Sequence, residues 1–182
     1  MFNDRRSKRI VLVAHCVLNQ NAKIDCCAHH PGAIREVAEC LVASGIGLLQ
    51  MPCPELHCLG LDRQADPAAP ATVASEDTRV AQSMREPAAA ARCGRLVDDV
   101  VYQVREYRKH GFDVVGIIGV NGSPTCGVET NWRDGCEPPG PGVFIEALQA
   151  ALRQEGGELP ACGIKASEPA EAVSVVRRLV GA

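Results

Sequence analysis

The chain contains no C-x2-C pair, no run approaching the ~18 apolar residues of a membrane span, and no G-x-G-x-x-G after its first apolar segment. The first absence removes the commonest zinc spacing and the dense C-x2-C-x2-C run of bacterial ferredoxins. The second removes a helical membrane partner, and the third argues against a dinucleotide site. A secretory core is missing as well. The basic stretch from Met1 to Arg9 is followed only by Ile10-Val11-Leu12-Val13-Ala14, which is too short. Positive charge is not in excess: 19 Lys and Arg stand against 22 Asp and Glu, a formal net charge of −3. A nucleic-acid polymer usually demands a strongly basic face, so none is expected as a partner. These absences together predict a cytoplasmic protein that acts on a small molecule.

What is present fits one α/β domain over residues 1–182, with 1–9 expected to be a disordered N-terminus. Hydrophobic residues make up 46% and charged residues 23%, an ordinary globular balance. A chain of this length buries about 70% of the surface its unfolded form exposes, so it needs no staples. Its ten cysteines therefore call for another explanation. Without a secretion signal, thiols are more often metal ligands, catalytic groups or small core residues than disulfides.

Apolar patterning alternates strand and helix. Ile10–Ala14, Ile46–Gln50 and Val114–Val120 read as buried strands, and Ala161–Lys165 as a weaker fourth. A helix is predicted over Pro31–Ser44 from Ile34, Val37, Ala38, Leu41 and Val42, with Gly45 as its stop. Further stripes are Leu96 to Val104, Phe144 to Leu152, and Val173 to Val180, the last capped by Ser167. Asp62–Glu76, with Pro67-Ala68-Ala69-Pro70-Ala71, reads as a long loop, and Glu86–Ala91 as a weak helical start. The pattern predicts a three-layer α/β/α Rossmann-like or flavodoxin-like fold with a mostly parallel sheet. It does not give the strand order.

Cys16, Cys53 and Cys126 each follow one of the first three strands. Ligands of an open parallel sheet bind beyond the carboxyl ends of its strands, so three thiols at that edge can meet around one metal centre. Pro52 and Pro54 flank Cys53, and Pro124 and Gly127 flank Cys126, as in turns that aim a side chain and turn backbone N–H groups toward it. The competing reading is three unrelated core cysteines, since free Cys is among the most buried residue types. Cys40 and Cys162 read as packing residues. Cys26-Cys27-Ala28-His29-His30 has a metal-tract look, but adjacent Cys26 and Cys27 are poorly spaced for one tetrahedral ion. Cys58 and Cys136 stand as a sulfur relay, a fourth ligand or bystanders.

Glu55 lies two residues after Cys53, where a carboxylate serves either as general base for water or as a solvated loop charge. Ser123 either hydrogen-bonds a substrate or caps a turn. Asn19, Asn21 and Asn121 suit a heterocyclic amide ligand, though Asn is also common in turns. Trp132, the single tryptophan, stacks on a planar substrate or is half-buried against its loop. Gly140-Pro141-Gly142-Val143 opens a helix at a possible anion cradle.

Cys16-Val17-Leu18-Asn19, Cys53-Pro54-Glu55 and Ser123-Pro124-Thr125-Cys126-Gly127, with the Gly140-Pro141-Gly142-Val143 helix start, resemble the thiouracil desulfidase (TudS) family and its diverged relatives. The resemblance runs from about Ile10 to Leu152. It implies a [4Fe-4S] cluster held by Cys16, Cys53 and Cys126, with the fourth iron free for the substrate sulfur. It implies catalytic roles for Glu55 and Ser123. Leu18-Asn19-Gln20-Asn21-Ala22-Lys23 stands where the core family has a glycine-containing turn and an Arg-Tyr-Asp-Gly-like stretch. The expected activity is thus that of a divergent, non-redox desulfidase acting on a thiocarbonyl small molecule. The alternatives are a thiol-redox or sulfur-transfer protein, and a metal-binding module without catalysis.

Overall fold

Near-continuous apolar runs become β1 (Arg9–Val13), β2 (Gly47–Gln50), β3 (Asp113–Val120) and β4 (Ala161–Ile164). The computed structural model describes residues 2–69 and 71–182. Met1 of the basic stretch and Pro70 of the predicted loop lie outside the described residues. All strand pairings are parallel, in the order β2-β1-β3-β4. Val11, Leu12, Val13, Ile117 and Ile118 have no exposed surface, as expected of parallel strands covered on both faces.

Two groups of helices supply that cover. Helix α2 (Arg35–Ala43) packs against α7 (Pro169–Val180), while α5 (Pro87–Lys109) packs against α3 (Pro54–Leu59) and α6 (Val143–Gln154). The result is a three-layer α/β fold of the Rossmann or flavodoxin-like kind. The chain leaves β1 for β2 on one side and returns to β3 on the other. Connections at the carboxyl ends of β1 and β3 therefore diverge, which opens a crevice between them.

Several boundaries differ from the sequence reading. The predicted loop Asp62–Glu76 stops early, because α4 (Val73–Ser83) begins inside it. The Thr72 side chain accepts from the Ser75 backbone N–H, and the Ser75 hydroxyl accepts from that of Thr72. This reciprocal cap starts the helix. Only Glu76, Val80 and Ala81 of α4 are buried, and one of those is charged, so its apolar period is faint. Helix α2 starts at Arg35, not Pro31, since Ile34 is extended and donates its N–H to the Val17 carbonyl. Val42, expected to be apolar packing, is 69% exposed. The cap position of α7 is Glu168, not Ser167. The weak start after Glu86 is helical from Pro87, which sits in the first turn where its missing N–H costs nothing. Among the described residues no helix is long and apolar enough to cross a membrane.

Thr72→Ala is expected to lower stability by about 1 kcal/mol. The loss appears as a lower urea midpoint with an unchanged slope.

Candidate active site

The chain turns sharply after each of the first three strands. After β1, the short helix α1 (His15–Leu18) carries Cys16. After β2, Cys53 is the cap residue of α3, and its sulfur accepts the Leu56 N–H at 3.5 Å. After β3 the backbone doubles back, so that the Val120 N–H donates to the Cys126 carbonyl at 2.8 Å. Gly119 permits this approach, because a Cβ there would run into the Cys126 carbonyl and the Val128 side chain. The Ser123 hydroxyl oxygen accepts from the N–H groups of Cys126 at 3.0 Å and Thr125 at 3.3 Å. Ser123 thus holds the turn that presents Cys126.

Cys16, Cys53 and Cys126 line one cavity of about 290 Å³, together with Glu55, Arg63 and Ser123. Burial pushes all three thiols up, Cys53 to about 12 and Cys126 well above the usual thiol range. After burial, the largest influences on Cys126 are Cys16 and Cys53. The three thiols therefore lie within electrostatic reach of one another. Among the described residues no three His, Cys, Asp or Glu side chains close on a point, as a single metal ion requires. Cysteine thiolates are the usual ligands of iron–sulfur clusters, and these three would be the ones to hold such a group.

Glu55 sits in the first turn of α3, with its side chain 13% exposed. Its Oε1 accepts from the Thr125 hydroxyl at 2.6 Å, and its Oε2 lies 3.5 Å from Nε of Arg63. Arg63 is fully buried. Its guanidinium donates to the carbonyls of Gly60, Leu61 and Ala22 and lies 3.7 Å from the Cys53 sulfur. The contact between Nε and Glu55 is ionic but not aligned as a hydrogen bond, so that buried N–H has no acceptor. An unmet donor and a fixed cation beside Cys53 fit a thiolate-held cluster, whose sulfurs accept N–H donors and whose ligands carry negative charge. Arg63 and Thr125 were not among the residues picked from sequence. Thr125 lies inside the Ser-Pro-Thr-Cys-Gly element, whereas Arg63 sits in a stretch without pattern.

Asp77, on α4, was also missed. It is half-buried on the cavity wall and pushed up to about 7, first by burial and then by the Glu55 carboxylate. Its neighbours fix its place. Arg79 pairs with Glu76 and donates to the Arg63 carbonyl. Trp132 lines the cavity and donates its indole N–H to the Thr78 hydroxyl at 2.9 Å. Trp132 thus ties α4 to the loop after β3.

The remaining sequence candidates divide. Asn121 reaches the cavity, but its Oδ1 accepts from the N–H groups of Val128, Glu129 and Thr130 and organises the loop. Asn19 and Asn21 are outside the lining, where the Asn19 side chain accepts from the backbone and side chain of Asn21. Cys26, Cys27 and His29 reach the cavity wall. Cys58 is buried against the Ala89 carbonyl and Cys136 is exposed beside the Arg133 carbonyl, both away from the lining. The α6 start is no anion cradle, because Val143, Phe144 and Ile145 donate their N–H groups to the carbonyls of Pro124 and Thr125. Gln20, also unforeseen, donates to the Cys16 carbonyl at 2.7 Å and accepts from the His29 N–H at 3.1 Å.

The chain is 32% identical over 126 residues to an archaeal relative, the uncharacterized protein MJ0003 of Methanocaldococcus jannaschii. The match covers 69% of this chain and 72% of the relative. No family model matches the chain, and no solved structure matches it.

Arg63→Met strips three carbonyls of their donor and leaves Glu55 without its cation. Removing one partner of a buried ion pair costs about 3–5 kcal/mol. A loss of that size in urea unfolding is the expected result.

Proposed function

The chain belongs to the same family as the archaeal protein MJ0003, and we propose that this member is an iron–sulfur-dependent desulfidase. In this reading Cys16, Cys53 and Cys126 hold a [4Fe-4S] cluster. The substrate is a thiocarbonyl small molecule such as a thiolated nucleobase, and sulfur leaves as hydrosulfide without net redox change. The workplace is the cytoplasm, and neither a nucleic-acid polymer nor a membrane is a partner. The observation that carries the reading is the gathering of three strand-end thiols and the Glu55 carboxylate on one cavity wall. The likeness of the Cys-Pro-Glu and Ser-Pro-Thr-Cys-Gly elements to the thiouracil desulfidase family points the same way.

A cluster held by three thiolates supplies one iron without a protein ligand, a soft Lewis acid suited to a soft sulfur. The chain's own groups do the rest. Glu55 takes a proton from water as that water adds to the thiocarbonyl carbon. The Thr125 hydroxyl holds Oε1 of Glu55, and Arg63 faces Oε2, so the carboxylate has one orientation toward the cavity. Ser123 keeps Cys126 in place through the two N–H groups it accepts. Arg63 also offsets the negative charge that three thiolates bring into a buried site. The net reaction turns C=S and water into C=O and hydrogen sulfide.

Anaerobic reconstitution followed by iron and labile-sulfide analysis is expected to give about four of each per chain. A screen of thiocarbonyl compounds is then expected to release sulfide. Cys16→Ala should lose the cluster. Glu55→Gln should keep it while turnover falls by roughly 10²–10⁴-fold. Full activity in iron-free protein would overturn the reading, and a parent rate in Glu55→Gln would remove the base from Glu55.

A further inference from the structure

Three carboxyl groups line the cavity, Glu55 from α3, Asp77 from α4 and Glu137 from the loop after β3, and their surroundings differ. Glu55 has a hydroxyl donor on one oxygen and a guanidinium beside the other. Asp77 has neither among the described residues. The cation nearest it in sequence, Arg79, is taken by Glu76 and the Arg63 carbonyl. The charged groups that face Asp77 are mostly of its own sign: Glu55 from α3, Glu76 from α4 and Glu137 from the loop after β3. Lys23, from the turn after α1, is the one opposing charge among them. Glu137 is occupied by the Thr130 hydroxyl and by Lys165. The Cys27 thiol, also on the cavity wall, is raised by burial and then by Asp77. The segment that carries Asp77 is fixed from both sides, through Thr78 to Trp132 and through Arg79 to Arg63. A half-buried carboxyl without a cation partner, on the same cavity wall as a second carboxylate, is pushed up to about 7 and keeps its proton on the acid side of that value. Two carboxyls whose environments differ in this way divide into an acid and a base.

We propose that Asp77 is a second catalytic residue of this cavity, the proton donor that complements Glu55. The inference rests on the desulfidase reading. The substrate enters as its thiolate anion, N=C–S⁻, the conjugate base of the thioamide. Asp77 gives its carboxyl proton to the nitrogen beside the reacting carbon while Glu55 takes a proton from the attacking water, and a C–O bond forms. The tetrahedral carbon then carries N–H, O–H and S⁻. When the C–S bond breaks, sulfur departs with the bonding pair and receives the Glu55 proton, which makes hydrosulfide. The hydroxyl proton returns to Asp77 and the carbonyl forms. Both carboxyl groups end as they began, so the cycle consumes water alone and changes no oxidation state. The donor must start protonated, so turnover falls as pH rises through about 7.

The test compares cluster-loaded parent, Asp77→Asn and Asp77→Glu under anaerobic conditions, with kcat measured from acid to alkaline pH using a thiocarbonyl compound that the parent turns over. Iron content and the infrared band of protonated carboxyl groups are measured on the same samples. Asp77→Asn is expected to keep its iron, lose roughly 10²–10⁴-fold in kcat, and lose the alkaline limb. Asp77→Glu is expected to regain most of the rate with a displaced limb. In the parent, a protonated-carboxyl band is expected to fade as pH rises through about 7 and to be missing in Asp77→Asn. An alkaline limb or an infrared band that persists in Asp77→Asn would overturn the assignment of Asp77 alone. A cluster-loaded parent that releases sulfide from no thiocarbonyl compound would overturn the desulfidase reading, and with it the step assigned here.

Discussion

Placing a guanidinium out of reach of water costs several kcal/mol unless its surroundings answer both its charge and its donors. Arg63 meets most of that demand, with only Nε left without an acceptor, by drawing together parts of the chain distant in sequence. Its guanidinium binds the Ala22 carbonyl after β1, approaches Cys53 and Glu55 at the head of α3, and closes its own loop onto Gly60 and Leu61. Its own carbonyl receives Arg79 of α4. Arg63 adopts left-handed backbone, with φ 52°, which bulky side chains rarely do. The geometry of the thiol cavity depends on this hub, because two of its walls are fastened to one side chain.

The sheet supplies the other half of the geometry. With β1 and β3 side by side, the connections after them part, and the peptide segments carrying Cys16 and Cys126 face across the gap. Helix α6 anchors the far wall, since its first N–H groups hold the carbonyls of Pro124 and Thr125. Gly142 is required there, because a Cβ would press on the Thr125 carbonyl. The same Thr125 orients Glu55. One residue therefore joins the rigid helix to the proposed base.

The strands and the thiol trio were legible because both signals are local. A parallel strand buried on both faces is a continuous apolar run, and each cysteine follows such a run, Cys53 and Cys126 within turns marked by proline or glycine. The order β2-β1-β3-β4 was not legible, since pairing partners leave no mark in a single parallel strand. The first turn of α4, Val73 to Glu76, reads as loop in the sequence because, of the helix's inward residues Glu76, Val80 and Ala81, only Val80 is a sizeable apolar side chain. Arg63 and Asp77 lacked any local signal. Their importance comes from tertiary burial and from neighbours distant in sequence. Asn19 and Asn21 stand beside Cys16 in sequence, but their hydrogen bonds close a turn outside the cavity lining.

Gln20 has a consequence of another kind. One amide bridges the Cys16 carbonyl and the His29 N–H, while the Gln20 backbone N–H reaches the Gly32 carbonyl. The bridge pins the peptide on either side of residues 21–28, as a clasp closes a bracelet. Lys23, Ile24 and Cys27, all within that span, form part of the cavity wall. The clasp therefore fixes the main chain on either side of this stretch of wall, while Ile24 and Cys27 are held from within by burial in the core.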